Sequence, residues 1–136
     1  MIGLKPIQRV NLDQLRHWRN SPHVFPYVRE YRLLNSCEQE TWFNSYLQQR
    51  RNADFDTEIL IMEYNGTDVG VGGFTRIEWR NQKAEFTLYI GEPEFKKSSI
   101  VKELLFALLE KGFEEWNLNK IYWPVFGHDP NLPIYT

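Results

Sequence analysis

Hydrophobic residues recur with a helical period between Leu12 and Arg51 and again between Ile100 and Phe113, and with a strand period mainly between Glu58 and Ile90. In a helix, residues three and four apart share a face, whereas in a strand alternate residues do. The two periods together predict an α/β domain, built as one mixed sheet with flanking helices. The predicted elements, in order, are a strand over 4–10, helices over 12–18 and 36–51, strands over 59–64, 69–77 and 83–90, a helix over 100–113 and a strand over 120–126.

The two early helices have recognisable starts and apolar faces. Asn11 can cap the first helix, and Ser36 with Gln39 forms a Ser-x-x-Gln capping box at the start of the second. Ser21-Pro22 ends the first helix, because the residue before a proline avoids the helical conformation. The side chains expected on the buried faces are Leu12, Leu15 and Trp18 in the first helix and Trp42, Phe43, Tyr46 and Leu47 in the second.

The connections between the strands predict an antiparallel meander followed by a parallel pair. Asn65-Gly66 is a strong signal for a tight hairpin turn, and a second turn near Arg80-Asn81 leads into the next strand. Gly70, Gly72 and Gly73 inside the hairpin predict a bulge or a close approach of the backbone. The last helix is a crossover, so the two strands that flank it should run parallel.

Composition narrows the classes of function. The chain has 136 residues, a net charge of −2 and 42% hydrophobic residues, which fits one domain with a substantial core. A net charge of −2 gives no indication of the strongly basic surface that nucleic-acid-binding proteins carry. No apolar run is long enough to span a membrane. Cys37 is the only cysteine, and His17, His23 and His128 lack metal-ligand spacing, so no disulfide and no metal site are expected. No cleavable signal is recognisable, so a cytoplasmic location is expected.

A basic and serine-rich turn lies between the strand over 83–90 and the helix over 100–113. Free N–H groups at a helix start can hold a phosphate, so any cofactor is expected at Lys96-Lys97-Ser98-Ser99. The alternative is structural: Ser98 caps the helix, Lys96 and Lys97 are solvated, and Val101 lies in the core. Residue types alone leave both interpretations open.

The same stretch carries a resemblance to a known family. The strand at 84–90, the Pro93-Glu94-Phe95 after it, the basic turn, and the helix and strand through Trp123 resemble the GCN5-related N-acetyltransferase (GNAT) superfamily. Leu15–Val24 is similar to the Leu-x-x-Trp-Arg-Asn-x-Pro-x-Val segment of a branch that includes ribosomal-protein alanine and aminosugar acetyltransferases. The resemblance implies an acetyl-CoA-dependent N-acetyltransferase. The acceptor would be a primary amine of a small molecule, an aminosugar or a protein N-terminus, which attacks the thioester directly.

The resemblance also implies a cofactor site on the strand and the turn. In the family, a Gln/Arg-x-x-Gly-x-Gly/Ala loop holds the pyrophosphate, and the backbone of the preceding strand binds the pantetheine arm. The corresponding residues here are Leu88, Tyr89 and Ile90 on the strand and Lys96, Lys97, Ser98, Ser99, Ile100 and Val101 in the loop. This loop departs from the pattern, since Ser99 and Val101 replace the two small residues. A serine hydroxyl can still donate to phosphate, whereas the branched Val101 is expected to crowd it.

Further roles follow from the same resemblance. Glu85 stands where related enzymes carry an acidic residue near the reacting amine, and it can accept a proton through water. The alternative is an exposed glutamate paired with Arg76 or Arg80. The family's general acid is the tyrosine of an Asn-x-x-Ala-x-x-x-Tyr helix, and the candidates here are Tyr135 for the tyrosine and Asn131 for the asparagine. The two residues are four apart instead of seven, so only one of them can occupy its family position. Pro133 would also interrupt the helix. The residues expected on the acceptor side are Trp18, Arg19, Asn20, Phe25 and Tyr27. The alternative for this segment is structural, with Trp18 packed in the core and Asn20 at the end of the helix.

Family members continue with another helix and strand, so the C-terminal elements of the fold are expected to be missing here. The sheet edge at 120–126 would then be open, and a second copy in a homodimer is expected to cover it. The alternatives are a fragment of a longer chain and a naturally shortened gene. Two other classes of function stay open. One is a GNAT-like binding or assembly module without catalysis, and the other is a ligand-binding domain with an aromatic pocket made of Trp18, Phe25, Tyr27 and Trp79.

Overall fold

The computed structural model describes residues 1–21 and 35–122, and it has the mixed α/β architecture that the sequence predicts. Its elements, in order, are β1 (Ile2–Pro6), α1 (Leu12–Arg19), α2 (Ser36–Arg50), β2 (Glu58–Tyr64), β3 (Thr67–Glu78), β4 (Lys83–Ile90), α3 (Ser98–Glu110) and β5 (Lys120–Tyr122). Short 3₁₀ turns lie at Arg9–Asn11 and Pro93–Phe95, and one π-helical turn at Lys111–Glu115 extends α3.

The strands form one five-stranded sheet in the order β1-β2-β3-β4-β5. The pairs β1–β2, β2–β3 and β3–β4 are antiparallel, and β5 runs parallel to β4. Lys83, Ala84 and Glu85 of β4 pair with the three residues of β5, and α3 makes the crossover between the two strands. The predicted meander with a final parallel pair is therefore confirmed. The remainder of the predicted last strand, 123–126, lies outside the described residues.

Each face of the sheet carries its own hydrophobic core. On one face, Val101, Leu104 and Leu108 of α3 belong to the same buried cluster as every second residue of β4. On the other face, α1 and α2 contribute the buried cluster that contains Trp18 and Phe43. Fully burying such a side chain contributes about 1.5–3 kcal/mol. The α3 core contains Ala84, Phe86, Leu88 and Ile90 of β4, whereas Tyr89 packs against the α1–α2 core.

The glycines of β3 allow a close approach between neighbouring strands. A Cβ on Gly70 would lie 2.2 Å from the Tyr89 carbonyl oxygen, and a Cβ on Gly73 would lie 2.2 Å from that of Glu58. No side chain fits at either distance, which confirms the predicted close approach. The hairpin turn before β3 is also as predicted, with Asn65 and Gly66 at φ values of 50° and 87°.

Two predicted boundaries in the first part of the chain are wrong. β1 ends at Pro6 instead of Val10, because a proline has no N–H to continue the ladder and the chain then turns. The Asn11 side chain does not cap α1; it accepts a hydrogen bond from the backbone N–H of Gln8 at 2.8 Å. The face of α1 is as predicted, with Leu12, Leu15 and Trp18 buried.

The capping box of α2 lies one residue earlier than predicted. The Asn35 side chain accepts from the Glu38 N–H at 2.8 Å, and the Glu38 carboxylate accepts from the Asn35 N–H at 3.3 Å. Phe43 and Tyr46 are buried as expected, but Trp42 is exposed, because its position lies at the outer margin of the helix face. No helix in the described parts of the chain has both the length and the apolar composition needed to cross a bilayer.

Candidate functional site

The end of β4, the turn after it and the start of α3 form the region where the sequence predicts a cofactor. After the 3₁₀ turn at Pro93–Phe95, Lys97 is extended, with φ −114° and ψ 143°, and α3 begins at Ser98. The Val101 N–H donates to the Lys97 carbonyl oxygen at 2.9 Å, which is the first hydrogen bond of this helix. The N–H groups of residues 98–100 precede that bond, so they point out of the helix end and carry its partial positive charge.

The side chains at this helix start divide between solvent and core. Lys97, Ser98 and Ser99 are exposed, and Lys96 and Ile100 are half-buried. Val101 is 0% exposed and belongs to the α3 core, so its branched side chain points away from the helix end. This orientation does not support the expectation that Val101 crowds a phosphate. Lys97, and not Ser98, holds the cap position, so the alternative role of Ser98 as a cap is wrong.

Contacts with the β2–β3 hairpin hold the turn in place. The backbone N–H groups of the first two residues after β4 both donate to the Val69 carbonyl oxygen, at 2.8 and 3.2 Å. Phe95 packs edge-on against Tyr64, with ring centroids 6.2 Å apart. The Tyr64 hydroxyl is hydrogen-bonded to Glu103 of α3, and this bond raises the pKa of Tyr64 above its usual value. The turn is therefore anchored at both of its ends.

Trp18 of α1 lies directly over the end of β4. Its side chain is 1% exposed, and a Cβ placed on Gly91 would lie 2.2 Å from the indole atoms Cγ and Cδ2. The indole Nε1 donates to Glu92 Oε1 at 2.9 Å. Only a glycine at position 91 leaves room for the indole. A packing contact and a hydrogen bond thus join α1 to the junction of strand and turn.

The two residues after Trp18 have different surroundings. Burial raises the pKa of Tyr89, and the positive charge of Arg19 opposes part of that rise, which places the guanidinium near the phenol. The Nη1 atom of Arg19 is buried. Asn20 follows the last residue of α1 and faces an open surface depression. This depression has a volume of about 500 Å³ and is lined by Asp13, Arg16, His17, Asn20 and Ser21.

Glu85 lies on β4, where it pairs with Thr75 of β3 on one side and with Tyr122 of β5 on the other. It is 5% exposed, and its Oε2 lies 3.7 Å from Arg76 Nε. Arg76 lies in an irregular part of β3, at a φ of 51°, where the register with β4 shifts. The pairing with Arg76 that the structural alternative predicted is confirmed, but the exposed position is wrong, because Glu85 lies on an interior strand and is 5% exposed.

The remaining predicted site residues either lie outside the described residues or lie apart from Trp18. Phe25 and Tyr27 of the acceptor side, and Asn131 and Tyr135 of the proposed acid, lie outside the described residues. Trp79 packs against the α3 core, on the opposite face of the sheet from Trp18. The prediction of an aromatic pocket that contains both tryptophans is therefore wrong. Trp79 lies instead in a separate aromatic group with Phe55, Phe74 and Trp116.

Sequence reasoning missed the contributions of Gly91 and Glu92. A glycine that follows a strand is a visible signal, but by itself it indicates only the end of the strand. The partner that explains both residues is Trp18, which is distant in the chain and adjacent only in the fold.

Comparison with known proteins adds a family and a set of similar folds. The family model described as an acetyltransferase (GNAT) domain matches residues 2–131. No curated protein matches the chain by sequence. Spermidine N-acetyltransferase from Vibrio cholerae, solved in complex with CoA and spermine, has 22% identity and a TM-score of 0.83, covering 98% of this chain and 77% of that one.

A second solved structure has a similar fold, with a lower TM-score. A dodecameric structure of spermidine N-acetyltransferase from Vibrio cholerae in an intermediate state has 19% identity and a TM-score of 0.74. The match covers 98% of this chain and 75% of that one. At such low identities the likeness shows the fold, and it leaves the roles of individual residues to the geometry of this chain.

Proposed function

Because this chain belongs to the acetyltransferase (GNAT) domain family, we propose that it transfers the acetyl group of acetyl-CoA to a primary amine. The neutral amine nitrogen attacks the thioester carbonyl carbon, and the carbon–sulfur bond breaks. The proton that the nitrogen loses balances the one that the CoA thiolate gains. The branch related to alanine and aminosugar acetyltransferases remains a prediction.

The observation that carries this proposal is the start of α3. Residues 98–100 present N–H groups at the helix end, Lys96 and Lys97 precede them, and Val101 points into the core. N–H groups and positive charge at a helix start suit a diphosphate. We therefore assign the turn and helix start from Lys96 to Ile100 to the pyrophosphate, although the two small residues of the family pattern are absent. Val101 follows this segment, with its N–H bonded to the Lys97 carbonyl oxygen. The backbone of Leu88, Tyr89 and Ile90, which leads into this turn, is assigned to the pantetheine arm.

We propose that Glu85 and Tyr135 transfer the two protons of the reaction. Glu85 accepts the amine proton through a water molecule in this scheme, with Arg76 beside its carboxylate. Tyr135 is the candidate that gives a proton to the leaving thiolate, and Asn131 is a candidate contact for the cofactor. Each of these assignments is a proposal.

The acceptor side is proposed to lie along α1, next to Tyr89. Arg19 and Asn20 can bind a carboxylate or sugar hydroxyls of an acceptor, and Phe25 and Tyr27 are proposed to complete this side. The solved neighbour acts on spermidine. In this chain, Arg19 lies near Tyr89, so a polycation would meet a like charge there, whereas the charge of Arg76 is balanced by Glu85. We therefore favour an amine that also carries hydroxyl or carboxylate groups over a polyamine.

An acetylation assay tests the proposal. The protein is incubated with acetyl-CoA and, in turn, glucosamine, a short peptide with a free N-terminus and spermidine, and products are identified by mass spectrometry. We expect product with glucosamine or the peptide. Glu85→Gln should lower kcat by about 100-fold or more, the usual range for general acid–base catalysis. Glu78→Gln is the matched control, because Glu78 is a half-exposed partner of Lys83. Equal activity of the two variants would contradict the assignment of Glu85.

A GNAT-like binding or assembly module with weak or no CoA binding is the second candidate. The burial of Glu85 beside Arg76 favours this module, since a glutamate that is 5% exposed has little access to water. Absence of product with every amine would support this module and contradict the enzyme.

We also propose that a second copy covers the edge of the sheet beside β5. Within the described part of the chain, β5 is the last strand in the order of the sheet, so one of its edges is open to pairing. The solved neighbour has been seen as a dodecamer. Light scattering coupled to size exclusion tests this proposal, and a monomer at high concentration would contradict it.

A further inference from the structure

We propose that Trp18 is a positioning residue that sets the geometry of the cofactor turn from α1. This inference rests on the proposed function, because it concerns the same turn. Trp18 would act without touching the cofactor, through Gly91 and Glu92, the two residues that connect β4 to the turn.

The first step is that Trp18 is itself held rigidly. Its side chain is 1% exposed and belongs to the α1–α2 core. The end of α1 is closed around its backbone, since the Ser21 N–H donates to the Trp18 carbonyl oxygen at 3.0 Å. The Ser21 hydroxyl donates to the His17 carbonyl oxygen at 2.8 Å. An indole fixed in this way can transmit the position of α1 to whatever it contacts.

The second step is that Trp18 contacts the junction in two independent ways. The indole fills the space over Gly91, where an added Cβ would lie 2.2 Å from the ring. Its Nε1 also holds Glu92 Oε1 at 2.9 Å. The packing contact fixes the backbone at the end of β4, and the hydrogen bond fixes the direction of the Glu92 side chain. Together they limit the conformations of the turn before it meets a ligand, which lowers the entropic cost of binding.

Trp18 also controls a negative charge beside the turn. Glu92 and Glu94 both adjoin the turn that we assign to the pyrophosphate, and a carboxylate turned toward a diphosphate would repel it. The indole N–H keeps the Glu92 carboxylate on the α1 side of the junction. Removing that donor should therefore weaken binding through two effects, a looser turn and a free negative charge.

A set of variants separates these effects. Trp18→Phe keeps an aromatic ring over Gly91 but removes the donor, and Glu92→Gln keeps an acceptor for the indole without its charge. Trp42→Phe is the matched control, because Trp42 is exposed on α2. Acetyl-CoA affinity is measured by calorimetry. Hydrogen exchange of the segment 91–98 is measured without acetyl-CoA, so that the turn is followed independently of binding.

We expect Trp18→Phe to raise the Kd for acetyl-CoA about fivefold, the effect of losing one hydrogen bond. Exchange in 91–98 should become faster, while the rest of the sheet keeps its protection. Glu92→Gln should bind about as tightly as the parent protein. Adding Glu92→Gln to Trp18→Phe should recover part of the lost affinity, because the freed side chain is then neutral. Trp42→Phe should change neither the affinity nor the exchange.

The outcomes distinguish the two proposals. Unchanged affinity and unchanged exchange in Trp18→Phe would overturn the role of Trp18 while leaving the proposed function in place. No binding of acetyl-CoA by the parent protein would overturn the proposed function, and this inference with it. If Trp18→Phe fails to fold, Glu92→Ala removes the same hydrogen bond and leaves the indole in its core. Faster exchange in 91–98 is then expected, and unchanged exchange would overturn the inference.

Discussion

The guanidinium of Arg50 meets the carboxylate of Glu58 at two points, with Nε donating to Oε1 at 2.7 Å and Nη2 to Oε2 at 3.0 Å. The Tyr46 hydroxyl donates to the same Oε1 at 3.0 Å and accepts from the Ile59 N–H at 2.9 Å. This polar cluster joins the end of α2 to the start of β2. A two-point contact of this kind is among the stronger polar interactions in proteins.

Removing the Glu58 carboxylate should cost stability. Glu58 is 7% exposed, so Glu58→Ala removes the carboxylate from the Arg50 guanidinium and leaves the Tyr46 hydroxyl only the longer bond to the Ile59 carbonyl oxygen, at 3.3 Å. Because Arg50 is partly solvated, we expect a loss of about 2 kcal/mol in the free energy of unfolding, measured by urea denaturation. Glu40→Ala is the control, since its ion pair with Arg9 is exposed and should be worth less than about 1 kcal/mol. Equal losses would contradict the stabilising role of the cluster.

The Tyr46 hydroxyl should make stability depend on pH in the alkaline range. Burial raises the pKa of Tyr46 in the folded protein above its ordinary value of 10.0. The folded state therefore holds this proton more tightly than the unfolded chain. Its contribution is fully present below pH 10 and declines as the pH rises through 10 and above.

Tyr46→Phe removes this group, and its free energy of unfolding should be lower by about 2 kcal/mol at neutral pH. It should also fall less steeply than that of the parent protein between about pH 9 and pH 11. Some slope should remain, because burial raises the pKa of Tyr89 in the same direction. Parallel curves for the two proteins would show that Tyr46 is not the group concerned.

Gly70→Ala should disturb both the sheet and the cofactor strand. The added Cβ would lie 2.2 Å from the Tyr89 carbonyl oxygen, a backbone atom that cannot move without separating β3 from β4. We expect a loss of about 3 kcal/mol in the free energy of unfolding, together with weaker acetyl-CoA binding. Gly3→Ala is the control, because its nearest neighbour, in the Glu63 side chain, lies at an ordinary 3.5 Å. A similar effect of both substitutions would contradict the close approach.

Val101→Ala should lower stability without improving cofactor binding. Val101 is 0% exposed and points into the α3 core, so the truncation should cost about 2 kcal/mol. The Kd for acetyl-CoA, measured by calorimetry, should stay within about twofold of the parent value. Phe106→Ala provides the control for stability, because Phe106 is exposed on the same helix. Tighter binding by Val101→Ala would show that the valine does crowd the phosphate.

Short-range pattern was enough to predict the elements and much of the core. Leu12, Leu15 and Trp18 share a face in any helix, and Asn65-Gly66 fits a two-residue turn in any hairpin. The cap of α2 was predicted one residue late, because Asn35 and Ser36 are both good caps and stand next to each other. Each also has a Glu or Gln three residues further on, so the local pattern does not choose between them.

The candidate site was harder to predict, because its contacts join distant parts of the chain. The structural alternative for Glu85 was an exposed partner of Arg76 or Arg80, yet Glu85 is 5% exposed on a strand with neighbours on both sides, and Arg76 reaches it from an irregular part of β3. The orientation of Val101 depends on which residue starts α3, and a difference of one residue turns a side chain by about 100° around the axis. The role of Gly91 depends on Trp18, which no local pattern connects to it.

Calorimetric titration of acetyl-CoA into the protein tests the central claim, that the start of α3 holds the pyrophosphate. The parent protein is compared with Lys97→Glu and with Lys120→Glu, which makes the same charge change on β5, near the first residue of β4. We predict micromolar binding that weakens about tenfold or more in Lys97→Glu and little in Lys120→Glu. No binding by the parent protein, or equal binding by both variants, would contradict the claim.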